Sequence, residues 1–177
     1  MAGQSRRLTR VYVLDTSYLL EIYGVPGHCD DVSRRTIKSR LRRAIKADSR
    51  LYVPFPVIFE LANHIAHVAD GGRRIALARR LSEDIRNSVH EGFPWSVTPV
   101  PTQSVLLELS GFLGLVQDFE RDGAAQGIGL CDLAVAALSG SLTRRFPGRC
   151  VHIWTKDRGL KALEPEPEPE PDPFLGR

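Results

Sequence analysis

Three short runs in this chain are almost wholly apolar: VYVL at 11–14, LYV at 51–53 and VHIW at 151–154. Their β-branched and aromatic residues favour extended backbone. They do not alternate apolar with polar, as strands with one wet face do, so each is expected to be covered on both sides. This constrains the fold more than any other feature. Short doubly buried strands separated by stretches of helical periodicity are the pattern of a parallel sheet with helices against both faces. A further strand is expected near 96–100. Helices are expected at 33–47, at about 56–69 (opened by Pro56 and closed before Gly71-Gly72), at about 73–90, at 104–121 and at 131–144. In the first of these Ile37, Leu41, Ala44 and Ile45 define the apolar face, and in the 73–90 helix Ala78, Leu81, Ile85 and Val89 point inward.

With 177 residues, 42% of them hydrophobic, the chain can bury one sizeable core and is short for two. No stretch reaches the roughly 18 uninterrupted apolar residues of a membrane span, and MAGQSRRLTR leads into only a short apolar run, so neither a signal peptide nor a membrane anchor is expected. Cys29, Cys131 and Cys150 are odd in number and widely spaced, which suits neither a disulfide framework nor a CxxC zinc site and points to the reducing cytoplasm. The expected organisation is a basic arm over 1–9, one domain over 10–163 and a disordered acidic tail over 164–177. In that tail EPEPEPEPDP sets proline against regular hydrogen bonding and repeated like charge against collapse. It carries five acids and one base, Arg177, so the formal net charge of +3 becomes +7 for the rest of the chain. Such a body attracts polyanions, although solubility alone accounts for many such charges.

In a parallel α/β sheet, ligands bind beyond the carboxyl ends of the strands. Asp15 and Asp157 follow two of the apolar runs there. Glu60 lies a turn into the helix after the second run, and Asp132 opens a helix whose next six residues are apolar. A charge in such surroundings costs desolvation energy unless something pairs with it. The flanking segments PVIFELANHI and GLCDLAVAAL contain no Lys or Arg. A divalent cation of the hard, oxygen-seeking kind, Mg²⁺ or Mn²⁺, meets that need, and clustered carboxylates with substrate phosphate are its usual setting in phosphoryl chemistry. Any one of these acids read alone is more simply a helix cap, a turn residue or a surface ion pair; the set of four is what points to a metal.

The same four segments resemble PIN domains. VYVLDTSYLLEIY is similar to their opening strand and first acid, PFPVIFELANHI to their glutamate-bearing helix, GIGLCDLAVAAL to the Gly-containing approach to a third acid, and VHIWTKDRGLKAL to the last strand with Thr-x-Asp. They occur in the family's order over residues 11–163. The resemblance implies a three-layer α/β/α sandwich with a central parallel sheet and endonuclease activity, usually on RNA. It implies catalytic and metal-binding roles for Asp15, Glu60, Asp132 and Asp157, with Thr155 as the hydroxyl residue before the last acid. Asp15 and Asp132 are assigned to the principal ion, Asp157 and Glu60 to a second ion or to orienting its water. In size the chain is similar to VapC-type toxins of toxin-antitoxin pairs, which implies a homodimer and a cognate antitoxin as partners. It departs from them in the acidic tail and in the segment 28–50. The other readings are a PIN nuclease that processes RNA or cuts DNA, and a catalytically silent PIN fold used for binding.

Arg34, Lys38, Arg42 and Lys46 recur at i+4 along one helix, widened by Arg35, Arg40 and Arg43, and form a candidate grip for RNA phosphates as well as an ordinary solvated face. Tyr18, Tyr23 and Trp95 are the aromatics most suited to stacking on bases. His64 and His67 share the Glu60 helix, but neither HExxH nor Glu-x-x-His spacing occurs. Asp118, Glu120 and Asp122 are read as a solvated helix end.

Overall fold

A computed structural model describes residues 10–98, 105–168 and 174–176. The chain is an α/β protein built on a four-stranded, all-parallel sheet. The elements run β1 (Val11–Leu14), α1 (Thr16–Tyr23), α2 (Asp31–Lys46), β2 (Arg50–Pro54), α3 (Phe55–Ala66), α4 (Gly71–Glu91), β3 (Ser96–Thr98), α5 (Val105–Asp118), one π turn (Phe119–Gly123), α6 (Ala124–Gln126), α7 (Leu130–Arg145), β4 (Val151–Trp154) and α8 (Arg158–Ala162). Strand order is β3-β2-β1-β4. The chain steps outward from β1 through β2 to β3, then returns to place β4 on the other side of β1. Strand order therefore reverses at β1, and the crevice beyond the carboxyl ends of β1 and β4 is where such sheets bind ligands.

All residues of β1 and β4 are buried, as their apolar composition requires. Val11 pairs with Val151 and Val13 with Ile153, while Tyr12 pairs with His152 and Leu14 with Trp154. The aromatics stack: Tyr12 on Trp154 with centroids 4.0 Å apart, and Tyr18 on Trp154 at 5.6 Å. Among the described residues no single helix is long and apolar enough to cross a membrane.

Several local expectations are corrected. A helix absent from the expected set, α1, follows β1 at once, with Asp15 as its cap. Gly71 and Gly72 open α4, because the Asp70 carboxylate caps Arg73 N–H. The inner face of α4 is Leu77, Leu81 and Ser88, with Ile85 partly buried; Ala78 and Val89 face solvent. On α2, Ile45 is exposed and Arg40 is buried, donating through Nη1 to Tyr18 Oη at 2.6 Å. Arg40 is thus withdrawn from the basic surface. Tyr18, Tyr23 and Trp95 are core residues, at most 2% exposed, which removes them as stacking platforms. Asp118 and Asp122 flank Arg121 as exposed ion pairs, as a solvated helix end should.

The segment after α8 forms no helix or strand among its described residues, and two of these, Glu164 and Glu168, meet the body. Glu164 accepts from Ile153 N–H at 2.8 Å and from Lys161 Nζ, and lies 3.3 Å from buried His152 Nδ1. Glu168 meets Tyr12 Oη at 3.5 Å and Arg10 Nη1 at 3.6 Å. The basic arm over 1–9, residues 99–100 of the strand expected at 96–100, and 169–173 with Arg177 of the tail lie outside the described residues.

Candidate active site

Asp15, Glu60, Asp132 and Asp157, drawn from four separate stretches, line one cleft of about 370 Å³ together with Thr16, Ser17, Leu20, His64, Gly129, Leu130 and Cys131. None of these is Lys or Arg. Each acid arrives by a distinct local device. Asp15 ends β1 and caps α1, accepting on Oδ2 from Ser17 N–H (3.2 Å), Ser17 Oγ (2.7 Å) and Thr155 Oγ1 (2.9 Å). Asp157 caps α8 through Oδ1 to Leu160 N–H at 2.8 Å, and its own N–H donates to Thr155 Oγ1 at 2.9 Å. Thr155, buried, therefore ties the first acid to the backbone of the last. Asp132 sits in the first turn of α7, with Oδ2 accepting from Gly129 N–H at 3.0 Å. A carboxylate at a helix N-terminus also faces the positive end of the helix dipole. Glu60, on α3, accepts from Thr16 Oγ1 at 2.7 Å, and the Cys131 thiol lies 3.9 Å from the same hydroxyl.

The electrostatics show how the acids feel one another. Burial raises the Asp15 pKa, partly offset by the Ser17 and Thr155 hydroxyls. Asp132 is raised first by burial and then by the charges of Asp15, Asp157 and Glu60, against the Gly129 hydrogen bond. The Cys131 thiol is pushed up by burial and by Glu60 and Asp15, so it stays protonated and is no nucleophile at neutral pH. The desolvation expected at Glu60 is not found, because its side chain is exposed at the edge of the cleft, as is that of Asp157. Buried Asp15 and half-buried Asp132 carry it.

An adjoining ion pair holds the Asp157 loop in place. Lys156 Nζ reaches fully buried Glu21 Oε1 at 2.6 Å and Asp30 Oδ2 at 3.6 Å, and Lys156 N–H donates to Ser17 Oγ at 2.9 Å. Lys156 is thereby turned away from the four acids, which have hard oxygen donors and no protein cation among their cleft neighbours. That donor chemistry fits Mg²⁺ or Mn²⁺. Among the described residues no three His, Cys, Asp or Glu side chains form a ready-made metal cage. Mg²⁺ does not need one, since it keeps several waters and binds through one or two carboxylates plus substrate phosphate.

The basic residues lie elsewhere, on α2 and outside the cleft lining. Arg35, Arg42 and Lys46 are exposed, Arg34 and Lys38 half-buried. The Lys38 pKa is lowered by burial and by the charges of Arg34, Arg80 and Arg42, so a cation of α4 joins the stripe. Thr16 and Ser17 escaped the sequence reading as site residues, and His64, weighed there as a metal ligand and set aside, lines the cleft. Ser17 left one legible trace, a hydroxyl two residues after an acid that begins a helix. The chain matches no model of a known protein family, and no curated protein matches it.

Proposed function

We propose that the chain is a Mg²⁺- or Mn²⁺-dependent endoribonuclease of PIN type, with a three-layer α/β/α arrangement around its parallel sheet. The observation that carries this reading is the convergence of Asp15, Glu60, Asp132 and Asp157 on one base-free cleft at the reversal of strand order. Four carboxylates, among which Asp132 has its pKa raised by burial and then by the charges of the other three, store repulsion that a silent binding fold has no use for. A bound divalent ion supplies charge neutralisation for a phosphodiester and lowers the pKa of an attacking water. The protein's part is positional. Asp15 and Asp132 hold the principal ion, and Glu60 and Asp157 take a second ion or orient water. Thr155 and Ser17 fix the Asp15 carboxylate, and Cys131 stays protonated beside Glu60. The α2 cations Arg34, Arg35, Lys38, Arg42 and Lys46, joined by Arg80, hold the phosphates of an RNA strand outside the cleft. On the resemblance to VapC-type toxins, the RNase works in the cytoplasm as the homodimeric effector of a toxin-antitoxin pair, restrained by a cognate antitoxin.

Sequencing of RNA 5′ ends after brief expression tests the assignment. Wild type should create new ends absent with Asp15→Asn. Identical end profiles would contradict it.

A further inference from the structure

Two imidazoles that the nuclease reading does not use meet where His64 lines the carboxylate cleft. His28 Nε2 and His64 Nδ1 are 3.3 Å apart, with ring centroids at 4.3 Å and planes at 65°. Each is placed by its own element. His64 projects from α3, and His28 follows Gly27, whose φ of +80° suits glycine, in a turn closed by His28 N–H donating to Val25 O at 3.1 Å. The fold therefore brings together two donors 36 residues apart in sequence. His28 is exposed and His64 half-buried, so both rings can make the small rotations that binding requires. As they stand, the two nitrogens share one proton. Two Zn–N bonds of about 2.0–2.1 Å at a tetrahedral angle hold their nitrogens about 3.3–3.4 Å apart, the spacing already present.

We propose that His28 and His64 form a two-imidazole site for a borderline divalent transition ion, with Zn²⁺ the occupant, distinct from the hard-oxygen site next to it. Neutral imidazole suits Zn²⁺, whereas carboxylate and water suit Mg²⁺ and Mn²⁺, so the two neighbouring sites sort ions by ligand chemistry. On binding, the proton between the two nitrogens moves, through solvent, to the far nitrogen of the ring that carried it, so both imidazoles stay neutral, each presents a lone pair to Zn²⁺, and two positions remain for water. The ion also straps the turn between α1 and α2 to α3 at the edge of the cleft. The inference stands on the histidine geometry and does not depend on nuclease activity.

The test is calorimetric titration of the full chain with ZnCl₂, with ¹⁵N imidazole resonances followed alongside. One Zn²⁺ should bind per chain, shifting His28 Nε2 and His64 Nδ1, and His28→Gln or His64→Gln should weaken it by roughly tenfold or more. The double variant Asp15→Asn/Asp132→Asn and excess Mg²⁺ should leave Zn²⁺ affinity unchanged. Circular dichroism verifies that each variant is folded. The proposal is overturned if no Zn²⁺ binds, if His28→Gln binds as tightly as wild type, or if binding is lost in Cys29→Ser or the double Asp variant while the histidine variants retain it.

Discussion

Asp132 sits between opposing demands. Gly129 N–H and the start of α7 favour its carboxylate, while burial and the charges of Asp15, Asp157 and Glu60 oppose it, and the opposition wins. A carboxyl whose pKa is raised on folding contributes stability that is present below its unfolded value and lost as pH rises through the folded one. Asn at this position keeps an acceptor for Gly129 and removes the charge. Thermal unfolding in chelator should therefore find Asp132→Asn more stable than wild type at pH 7, with the difference closing as pH falls towards about 4. A variant equally displaced at both pH values, or less stable at pH 7, would show that the acids do not repel one another. The residue types at the site were readable because an acid following an apolar run is conspicuous. Their burial was not, since exposed Glu60 and half-buried Asp132 sit in equally apolar sequence.

At the scale of elements, strands were legible because three or four largely apolar residues in a row leave few alternatives, and β1, β2 and β4 lie where they were expected. Helix starts were less so. Capping acids decide them: Asp15 starts a helix where none was expected, and Asp70 turns what looked like a glycine break into a first turn. Contacts across elements left no local mark: Arg40 reaches Tyr18 from 22 residues away and Lys156 reaches Glu21 from 135. The latter holds the Asp157 loop against α1, with Glu21 fully buried. Removing one partner of such a pair strands a charge, so Lys156→Ala should cost roughly 3–5 kcal/mol in urea unfolding, and Lys156→Met with Glu21→Leu should recover most of it. Equal loss in the single and double variants would mean that the pair contributes no more than packing.

For the molecule as a whole, the segment expected as a disordered tail over 164–177 holds Glu164 and Glu168 against the body at its described residues. Burial opposes the Glu164 carboxylate, but the adjacent His152 ring, the Lys161 ammonium and the Ile153 N–H outweigh it and its pKa is lowered. Its stabilisation is therefore present above the ordinary glutamate value and lost as pH falls through the lower folded one. Deleting 164–177 uncovers His152 and leaves Ile153 N–H unpaired, so the melting temperature at pH 7 should fall by about 5 °C or more. An unchanged melting temperature would return the segment to the status of a free tail. Four acids, one cleft and a divalent ion make up the proposed catalytic centre. It is tested most directly by incubating purified protein with single-stranded RNA in Mg²⁺, in Mn²⁺ and in EDTA, beside folded Asp15→Asn and Asp132→Asn. Cleavage in either metal, none in EDTA and none by the variants is the predicted result; cleavage that persists in EDTA, or that the variants retain undiminished, would contradict it.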